Sequence, residues 1–467
     1  MNTLSASKPF TFIVCLTLAS VCWGQQETHP DKPVFHKRWT LPTDQPDRII
    51  LNVATNPATQ QSVSWRTDTT VQQGVVEIAV ADAAPGFVRN AVRTNAKTER
   101  FDASGVTGAE VIAHCHSATF NNLTPDLLYA YRVGDGTHWS EWFQFKTASL
   151  TPKPFSFLYV GDAQNYILEL WSRLIRAGFS KAPDARFIIH AGDLVSEAHS
   201  ERQWHEWFTA GGWIHGMLPS MPVPGNHEYR PTSQANAAEP QLSVQWKSQF
   251  TLPQNGPIGL EETTYWFDYQ GVRFVALNSN RQQEKQAVWL DSLLTKNPNQ
   301  WTVVTFHHPI FSTARDRDNA KLRELWKPIF DKHNVDLVLQ GHDHTYARGH
   351  SGPTTQNVVG GINTRDKQTG TVYVVSVSGG KMYTFKKEAW DKYDAKLARR
   401  AENTQLFQVI RVEDNVLKYQ AFTATNELYD AFDIVKDTKK RTKKFIERGG
   451  NAVPERRHDN TIPYEKL

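Results

Sequence analysis

The feature that most constrains this 467-residue chain is a series of strand-like apolar runs, each ending in polar side chains. The runs read FLYVGD, FIIHAGD, MPVPGNHE, VVTFHHP and LVLQGHDH, in that order. In α/β sheets, ligands gather at the carboxyl ends of strands, so the polar groups are predicted to meet at one rim. The side chains delivered are Asp162, Asp193, Asn226 with His227, His307 with His308, and His342 with His344.

The donor types in this series indicate a metal site. Carboxylates, an amide oxygen and imidazoles suit Zn, Fe or Mn, and no thiolate takes part in the pattern. A carboxylate can bridge two ions, and two metals roughly 3.5–4 Å apart can stabilise both oxygens of a displacement at phosphorus. Each residue taken alone is more often structural. The joint order GD, GD, GNHE, HHP, GHxH favours the metal interpretation.

The periodicity along the chain predicts two structural parts. Residues 46–150 contain short alternating runs separated by turn residues, which is typical of an all-β sandwich. Over residues 153–435, strand-like runs alternate with helical segments, which predicts an α/β fold with helix-covered sheets. Within it, the charged residues 385–405 are predicted to form an insertion or a peripheral helix. Residues 25–45 are interpreted as a linker and the basic residues 436–467 as a solvated helix face or loose tail.

The N-terminal residues 1–24 have the pattern of a signal peptide. An apolar run is followed by small residues before a cleavage point after Gly24, and this run is too short to span a membrane. No later run offers a transmembrane segment, so an exported protein, periplasmic or secreted, is expected. Cleavage would leave Cys115 as the remaining cysteine, which excludes an internal disulfide. The net charge of +4 is too small to indicate nucleic-acid binding.

The order and content of the motifs resemble the calcineurin-like metallophosphoesterase superfamily, and within it the purple acid phosphatases. The resemblance covers about residues 46–435 and is most specific at GNHE and GHDHTYAR. The segment NNLTPDLLYAYRVGDG resembles a corner and strand of a fibronectin-type-III-like module. The resemblance therefore implies a fibronectin III-like N-terminal domain followed by a four-layer α/β/β/α catalytic domain.

The resemblance also implies a ligand set for two metal ions. Asp162 and His344 would bind the first metal, and Asp193 would bridge both. The second metal would take its remaining ligands from Asn226, His307 and His342.

Other residues near the motifs carry looser assignments. His227 would hydrogen-bond the phosphoryl oxygen or protonate the leaving alkoxide, and His308 either faces the substrate or has no role. Tyr346 and Arg348 either line the pocket or brace the loop that follows the last His pair.

Two positions depart from the family pattern. Purple acid phosphatases carry a metal-binding Tyr three residues after the bridging Asp, and here that residue is Ser196. Many relatives carry a His two residues after the first Asp, and here Gln164 followed by Asn165 stands there. Gln164 could offer an amide oxygen to the first metal or hydrogen-bond a bound water. Without the tyrosine phenolate, the site has less preference for Fe(III), and a colourless or weakly coloured protein is expected. The identity of the metals stays open among Fe, Zn and Mn.

The resemblance implies hydrolysis of phosphate esters on a phosphorylated small molecule, in the manner of an acid phosphatase acting on monoesters. The nucleophile would be a metal-bound hydroxide at a dinuclear centre. Two alternatives stay open at this point: a phosphodiesterase acting on nucleotides or lipid head groups, and a metal-holding binding module without turnover.

Overall fold

The computed structural model describes residues 38–457, except 234–237, 239, 315–316, 352–369, 386–389, 391–392, 394, 438–441 and 449–452. Residues 40–467 form one compact unit. The predicted signal peptide lies outside the described residues, as does most of the predicted linker. Within the described part of the chain, no helix is long and apolar enough to cross a membrane.

The N-terminal part is a β-sandwich, which confirms the predicted fold class of this part. One sheet has the order β5-β6-β2-β1 and the other β4-β3-β7-β8. Their facing sides bury an aromatic core that includes Trp65, Tyr131 and Phe145. The strands are β1 Asp47–Asn52, β2 Gln61–Thr67, β3 Val75–Val80, β4 Val92–Asn95, β5 Lys97–Asp102, β6 Ile112–Phe120, β7 Leu128–Gly134 and β8 Phe143–Lys146.

The described residues from Phe155 onward build the α/β part, which confirms the predicted fold class. Its helices are α1 Ser172–Lys181, α2 Glu201–Gly211, α3 Trp213–Met217, α4 Trp246–Gln249, α5 Gln283–Thr295 and α6 Ala320–Lys332. Its strands are β9 Phe155–Val160, β10 Ala185–His190, β11 Ser220–Pro222, β12 Tyr229–Arg230, β13 Gln241–Leu242, β14 Tyr265–Tyr269, β15 Val272–Ala276, β16 Trp301–Thr305, β17 Leu337–Gln340, β18 Tyr346–Ser351, β19 Val372–Val375, β20 Ala395–Ala401, β21 Leu406–Glu413, β22 Val416–Thr423, β23 Leu428–Asp437 and β24 Thr442–Glu447.

Two sheets face each other in this part, and the central strands of each are parallel. The first has the order β24-β23-β22-β21-β9-β10-β11 and continues through β1 into the sandwich, where Asn52 pairs with Ser220. The second has the order β14-β15-β16-β17-β19-β18-β20. Between the sheets, the rings of Phe157 and Phe187 stack with centroids 5.2 Å apart. Strands β9, β10 and β11 run parallel, as do β15, β16, β17 and β19.

Helices cover the outer faces of these sheets. Helix α1 packs against β21 of the first sheet. On the second sheet, Leu290 of α5 and Trp326 and Phe330 of α6 belong to the same buried cluster as Val304 and Phe306. The layers are thus helix, sheet, sheet, helix, and the carboxyl ends of the parallel strands from both sheets open at one edge.

Two predictions about the C-terminal residues are wrong. Residues 385–405 were predicted to form an insertion or a peripheral helix. The helix alternative is wrong, because Ala395–Ala401 form the strand β20, which pairs with β18 at the edge of the second sheet. The predicted basic tail contains β24, which pairs antiparallel with β23. Lys443 of β24 is buried, and its ammonium donates to the Val335 carbonyl at 2.8 Å. Sheet pairing thus determines the conformation of β20 and β24 within these charged segments.

Candidate metal centre

The predicted ligand residues all follow parallel strands at the shared edge. Asp162 follows β9, Asp193 follows β10 and Asn226 follows β11, all in the first sheet. His307 follows β16, and both His342 and His344 follow β17, in the second sheet. The centre is therefore assembled from two sheets, which explains how side chains almost two hundred residues apart come together.

The backbone at this edge is strained. Asp162, Asp193, His342 and His344 have positive φ angles of 50°, 51°, 76° and 48°. A non-glycine residue held in this region costs on the order of 1–3 kcal/mol and persists where the surrounding structure requires it, most often at functional sites. The left-handed turns redirect the side chains from the strand axis towards a common point.

Glycines next to the motifs allow the loops to approach one another. A Cβ added to Gly225 would lie 2.1 Å from Asp193 Oδ1, and one added to Gly341 would lie 2.4 Å from Asp162 Oδ2. Any larger residue would displace a candidate ligand. The Gly-Asn and Gly-His pairs of the sequence thus serve close packing of the carboxylates.

The candidate ligands form two clusters that share one carboxylate. Asp193, His307 and His342 form one, and Asp162, Asp193 and His344 form the other, with ligand atoms within 4.8 Å of one another in each. The amide oxygen of Asn226 lies 3.1 Å from His307 Nε2, which adds it to the first cluster. All six predicted ligands are brought together, and Asp193 stands between the two groups.

Backbone carbonyls fix the orientation of two imidazoles. His307 Nδ1 donates to the Ala191 carbonyl at 2.8 Å, and His344 Nδ1 donates to the Lys381 carbonyl at 2.9 Å. Because a carbonyl only accepts, the Nε2 atom of each neutral ring presents a lone pair to the clusters. A carbonyl partner of this kind orients metal-binding histidines and sets their tautomer.

The ligand atoms with lone pairs lie close together, so positive charge placed among them would stabilise the cluster. Asp193 Oδ2 lies 3.2 Å from His307 Nε2, which in turn lies 3.1 Å from His342 Nδ1. Burial lowers the pKa of His307, but Asp193 and Asp162 outweigh it and raise this pKa to about 9. Burial raises the pKa of Asp193, but His307 outweighs it and lowers this pKa far below its usual range. A proton on His307 thus supplies charge that cations would supply in the same place.

The other candidate ligands show the effect of burial directly. Burial, together with the Asp193 charge, holds the pKa of Asp162 well above its usual range although His307 opposes it. Burial and the Lys381 charge lower the pKa of His344 to about 3. A buried carboxylate with a raised pKa and a neutral imidazole facing it are groups that a cation would stabilise.

Two buried carboxylates beneath the centre were not predicted to have roles. Glu228 accepts backbone N–H bonds from Asp193 at 2.9 Å, Leu194 at 2.8 Å and Gly225 at 2.7 Å. Burial and the Asp193 charge raise the pKa of Glu228 to about 7. Asp343 accepts from the Thr313 backbone N–H at 2.6 Å. These two carboxylates position the ligand loops. Both lie inside the motifs GNHE and GHDH, and this location is the sequence pattern that could have indicated their role.

The remaining predicted histidines lie at the border of the clusters. His227 Nε2 is 4.0 Å from Asp193 Oδ2, and its Nδ1 donates to the Ser196 carbonyl at 2.7 Å. Its side chain is 21% exposed, so it stands where a ligand could enter. His308 Nδ1 lies 2.8 Å from Ser279 Oγ, and its ring centroid is 4.4 Å from that of His342.

Gln164 lies inside the second cluster, whereas Ser196 and Asn165 pair beside it. Gln164 Nε2 is 2.9 Å from Asp193 Oδ2 and 3.0 Å from His344 Nε2, while its buried Oε1 has no hydrogen-bond partner. The oxygen and nitrogen of an amide have nearly the same shape, so a rotation of the Gln164 amide by about 180° would place Oε1 next to the candidate metal ligands Asp193 and His344. Ser196 Oγ donates to Asn165 Oδ1 at 3.3 Å.

Tyr346 and Arg348 do not line the centre. Both are fully buried, and both contact the Asp430 carboxylate, with the Tyr346 hydroxyl at 2.6 Å and Arg348 Nη2 at 2.8 Å. Arg348 Nη1 also donates to Glu447 at 2.7 Å. Of the two roles left open by the sequence, the pocket-lining role does not hold, because these side chains hold β18 against β23 and β24.

Basic and aromatic residues that no motif indicated also surround the clusters. Arg317 Nη1 donates to the His342 carbonyl at 2.8 Å and Nη2 to the Tyr383 hydroxyl at 3.2 Å. The Tyr383 ring lies 4.8 Å from that of His344. Arg317 and Lys381 give this edge positive charge, which would attract an anionic substrate.

Comparison with known proteins identifies the class of this fold and site. The family profile described as calcineurin-like phosphoesterase matches residues 155–346. The chain belongs to this class of metallophosphoesterases, which are hydrolases acting on phosphoric ester bonds. The profile described as purple acid phosphatase, N-terminal domain, matches residues 46–147. Within the class, the chain is a purple acid phosphatase-like member carrying that N-terminal domain.

Individual relatives agree with this assignment. An uncharacterized protein of Mycobacterium tuberculosis is 29% identical over 401 residues, covering 76% of this chain and 73% of the relative. Purple acid phosphatase 23 of Arabidopsis thaliana is 23% identical, covering 70% of this chain and 79% of its own. Acid phosphatase type 7 of Homo sapiens is 25% identical, covering 50% of this chain and 57% of its own.

Two solved structures share the fold. Purple acid phosphatase PPD1 from yellow lupin superposes with a TM-score of 0.66 at 17% identity, covering 90% of this chain and 78% of that one. The structure of PhoD superposes with a TM-score of 0.62 at 13% identity, covering 92% and 96%. The second match extends over both the sandwich and the α/β part, so the two-part arrangement recurs in both structures.

Proposed function

We propose that this chain hydrolyses phosphate monoesters at a centre of two metal ions. The observation that carries the proposal is the sharing of Asp193 by two ligand clusters at the carboxyl edge of both sheets. One ion would be held by Asp162, Asp193 and His344, and the other by Asp193 with Asn226, His307 and His342. The lone pairs fixed on His307 and His344 and the unpartnered Gln164 Oε1 support this fit.

The donor chemistry sets the range of suitable ions. Oxygen and imidazole ligands suit Fe, Zn or Mn. When bound, such ions supply Lewis acidity towards the phosphoryl group and lower the pKa of water towards ~7. Ser196 stands where the family pattern has a tyrosine, so this position supplies no phenolate for a visible charge-transfer band. A protein isolated with two metals and no strong colour is expected.

The side chains around the centre would carry out the remaining chemistry. Arg317 and Lys381 attract the phosphate dianion, and the strained ligand loops hold the donors in place before it arrives. His227 is the group positioned to handle the proton of the leaving alcohol. Its Nδ1 is held by the Ser196 carbonyl, so Nε2 is the atom that takes and gives the proton.

The preference for monoesters rests on the likeness to enzymes named acid phosphatases. The test compares kcat/KM for 4-nitrophenyl phosphate and bis(4-nitrophenyl) phosphate, with elemental analysis of the same preparation. A higher value for the monoester is expected, and His227→Gln is expected to lower kcat about 10²-fold. A higher value for the diester would assign the alternative phosphodiesterase, and no turnover with two metals bound would assign a binding module.

We also propose that the protein is exported. Support comes from the apolar run in residues 1–24 and the small residues that precede the cleavage point after Gly24. N-terminal sequencing of the mature protein from the producing cells is expected to begin at Gln25, and a chain that retains Met1 to Gly24 in the cytoplasm would contradict export.

A further inference from the structure

An open cavity of about 510 Å³ lies beside the candidate centre. One wall belongs to the sandwich and consists of Thr107 and Gly108, in the loop between β5 and β6. The opposite walls belong to the α/β part and include Glu197, His199, Arg230 and Pro231. Ligand pockets for small molecules commonly have volumes of roughly 300–1,000 Å³, so the cavity has room for a sugar-sized group.

The cavity is connected to the centre through His227. Arg230, in the cavity wall, places Nη2 3.1 Å from His227 Nδ1. On its other side, the same imidazole places Nε2 4.0 Å from Asp193 Oδ2. Glu197 follows Ser196, whose carbonyl holds His227. The ring of His227 therefore contacts a residue of the cavity wall and also lies close to the shared carboxylate of the metal centre.

Contacts across the two parts hold the cavity walls in place. The Glu201 backbone N–H donates to the Gly108 carbonyl at 2.8 Å, which ties the sandwich loop to the start of α2. The Glu201 carboxylate is buried and forms ion pairs with Arg48 and Arg66 of the sandwich. His199 Nε2 lies 3.1 Å from the Arg230 carbonyl and joins two further wall segments. The cavity is thus preformed rather than a gap between independent domains.

Arg230 gives the cavity a directed positive charge. Its Nη1 donates to the carbonyls of Asn226 at 3.3 Å and Tyr229 at 3.0 Å. His227 Nδ1 carries the proton that it donates to the Ser196 carbonyl, so it cannot accept a hydrogen bond from Arg230 Nη2. Glu197 lies 3.7 Å from Nε but is 62% exposed, so water screens this pair. An anionic group in the cavity could therefore form a charge-assisted bond with the guanidinium.

We propose that this cavity seats the alcohol half of the phosphate ester and that Arg230 receives an acidic substituent on that alcohol. The substrate class is then a phosphate monoester of a sugar-sized polar alcohol bearing a carboxylate or a second phosphate. This inference rests on the proposed monoesterase function of the adjoining centre. The N-terminal sandwich takes part in substrate selection through Thr107 and Gly108.

The first experiment uses two esters that differ only in the acidic group. 6-Phosphogluconate carries a carboxylate where sorbitol 6-phosphate carries a hydroxymethyl group. With the metal-loaded full chain, kcat/KM is expected to be about ten-fold higher for 6-phosphogluconate, through a lower KM. Arg230→Gln is expected to bring the two values within about two-fold of each other, and Arg230→Lys to keep part of the difference, because a charge without the fork geometry remains.

The second experiment tests the wall contributed by the sandwich. Thr107→Trp fills the cavity from an exposed loop position, and Ser104→Trp adds the same bulk in the same loop outside the lining. The ratio of kcat/KM for 6-phosphogluconate to that for methyl phosphate is expected to fall about ten-fold in Thr107→Trp, since the small ester does not need the cavity. Ser104→Trp is expected to keep the ratio of the unmodified protein.

The outcomes separate this inference from the proposed function. Hydrolysis of methyl phosphate and 4-nitrophenyl phosphate with equal kcat/KM for 6-phosphogluconate and sorbitol 6-phosphate would overturn the role of Arg230 and leave the monoesterase intact. An unchanged ratio in Thr107→Trp would overturn the role of the cavity. Absence of turnover with every ester in the metal-loaded protein would overturn the proposed function, and this inference with it.

Discussion

A single carboxylate, Asp193, connects the two halves of the candidate centre. Its side chain takes part in both ligand clusters and lies 3.2 Å from His307 Nε2. Asp193 also has a positive φ angle, and its backbone N–H is held by Glu228. Asp193 is strained and buried, so the effect of replacing it is best judged by comparison with a ligand that serves one cluster.

The first prediction concerns this shared position. Asp193→Ala is expected to lower metal content at both sites and to reduce kcat at least 10²-fold, because one carboxylate serves two ions. Asn226→Ala, which removes a donor from one cluster, is the matched comparison and is expected to deplete one metal. Elemental analysis and 4-nitrophenyl phosphate turnover provide the measurements. Two metals per chain retained in Asp193→Ala would contradict the bridging role.

The second prediction concerns Gln164, where the family pattern is broken. Its side chain lies between Asp193 and His344, and its amide oxygen has no partner. Gln164→Leu is expected to weaken metal retention about 10–100-fold, because the change removes an oxygen that can face the ion. Gln164→Glu, which keeps an oxygen there, is expected to retain the metal. Dialysis against a chelator followed by elemental analysis distinguishes them, and equal retention in both variants would exclude a role for Gln164.

The candidate ligands could be predicted from the sequence, because they lie in motifs at the ends of strand-like runs. The residues that hold these ligand loops in place could not be predicted. Polar residues at strand ends point to a shared rim without any knowledge of loop shape. The contacts of Asp343 and Arg317, or the choice between two roles for Arg348, depend on which distant segment packs alongside. Such contacts join residues 25 to 99 positions apart, and no local pattern encodes them.

Among the secondary-structure elements, burial decides which ones the sequence reveals. Strands β9, β15 and β16 are buried along their whole length, so they appear as continuous apolar runs and were predicted. Strands β20 and β24 are charged edge strands, and local composition favours helix or tail for such residues. Their conformation follows from pairing with β18 and β23, which is a tertiary effect.

The third prediction follows from the network that joins β18 to β23 and β24. Arg348→Met leaves the fully buried Asp430 carboxylate without its cation and is expected to cost about 3–5 kcal/mol in the free energy of unfolding. Glu447→Gln is expected to cost less, since the Glu447 side chain is 18% exposed. Chemical denaturation gives both values. Since Arg348 does not line the centre, kcat/KM per folded chain is expected to stay unchanged, and a selective loss of activity would contradict this placement.

The described residues from Thr40 onward form one compact unit, and a single sheet runs through both of its parts. Strand β1 of the sandwich pairs with β11 of the α/β part, and the buried Glu201 holds Arg48 and Arg66 across the boundary. The sequence indicated two separate domains, since the change in periodicity near residue 150 is clear. The continuous sheet could not be predicted, because its link consists of one pairing between Asn52 and Ser220. We therefore expect the sandwich and the α/β part to unfold together.

The fourth prediction uses the sandwich to test this coupling through pH. His116 is buried against Trp65, with Nε2 2.8 Å from Thr67 Oγ1 and Nδ1 2.9 Å from Thr98 Oγ1. Burial, with a smaller effect of His114, lowers the pKa of His116 to about 4. The folded protein therefore holds a neutral ring, whereas the unfolded chain takes up a proton near pH 6.5.

The sign of the effect follows from this difference. The stabilisation due to neutral His116 is complete above about pH 6.5 and is lost as pH falls from there to about 4. A pKa difference of this size corresponds to about 3 kcal/mol. His116→Gln, which can still bond both threonines, is expected to lose that much less stability than the unmodified protein between pH 7 and pH 4. Parallel pH curves for the two proteins would contradict the buried neutral histidine. If the loss appears in the unfolding of the α/β part as well as the sandwich, the two parts unfold as the one body that their common sheet indicates, because a proton taken up in one part can destabilise the other only through shared structure.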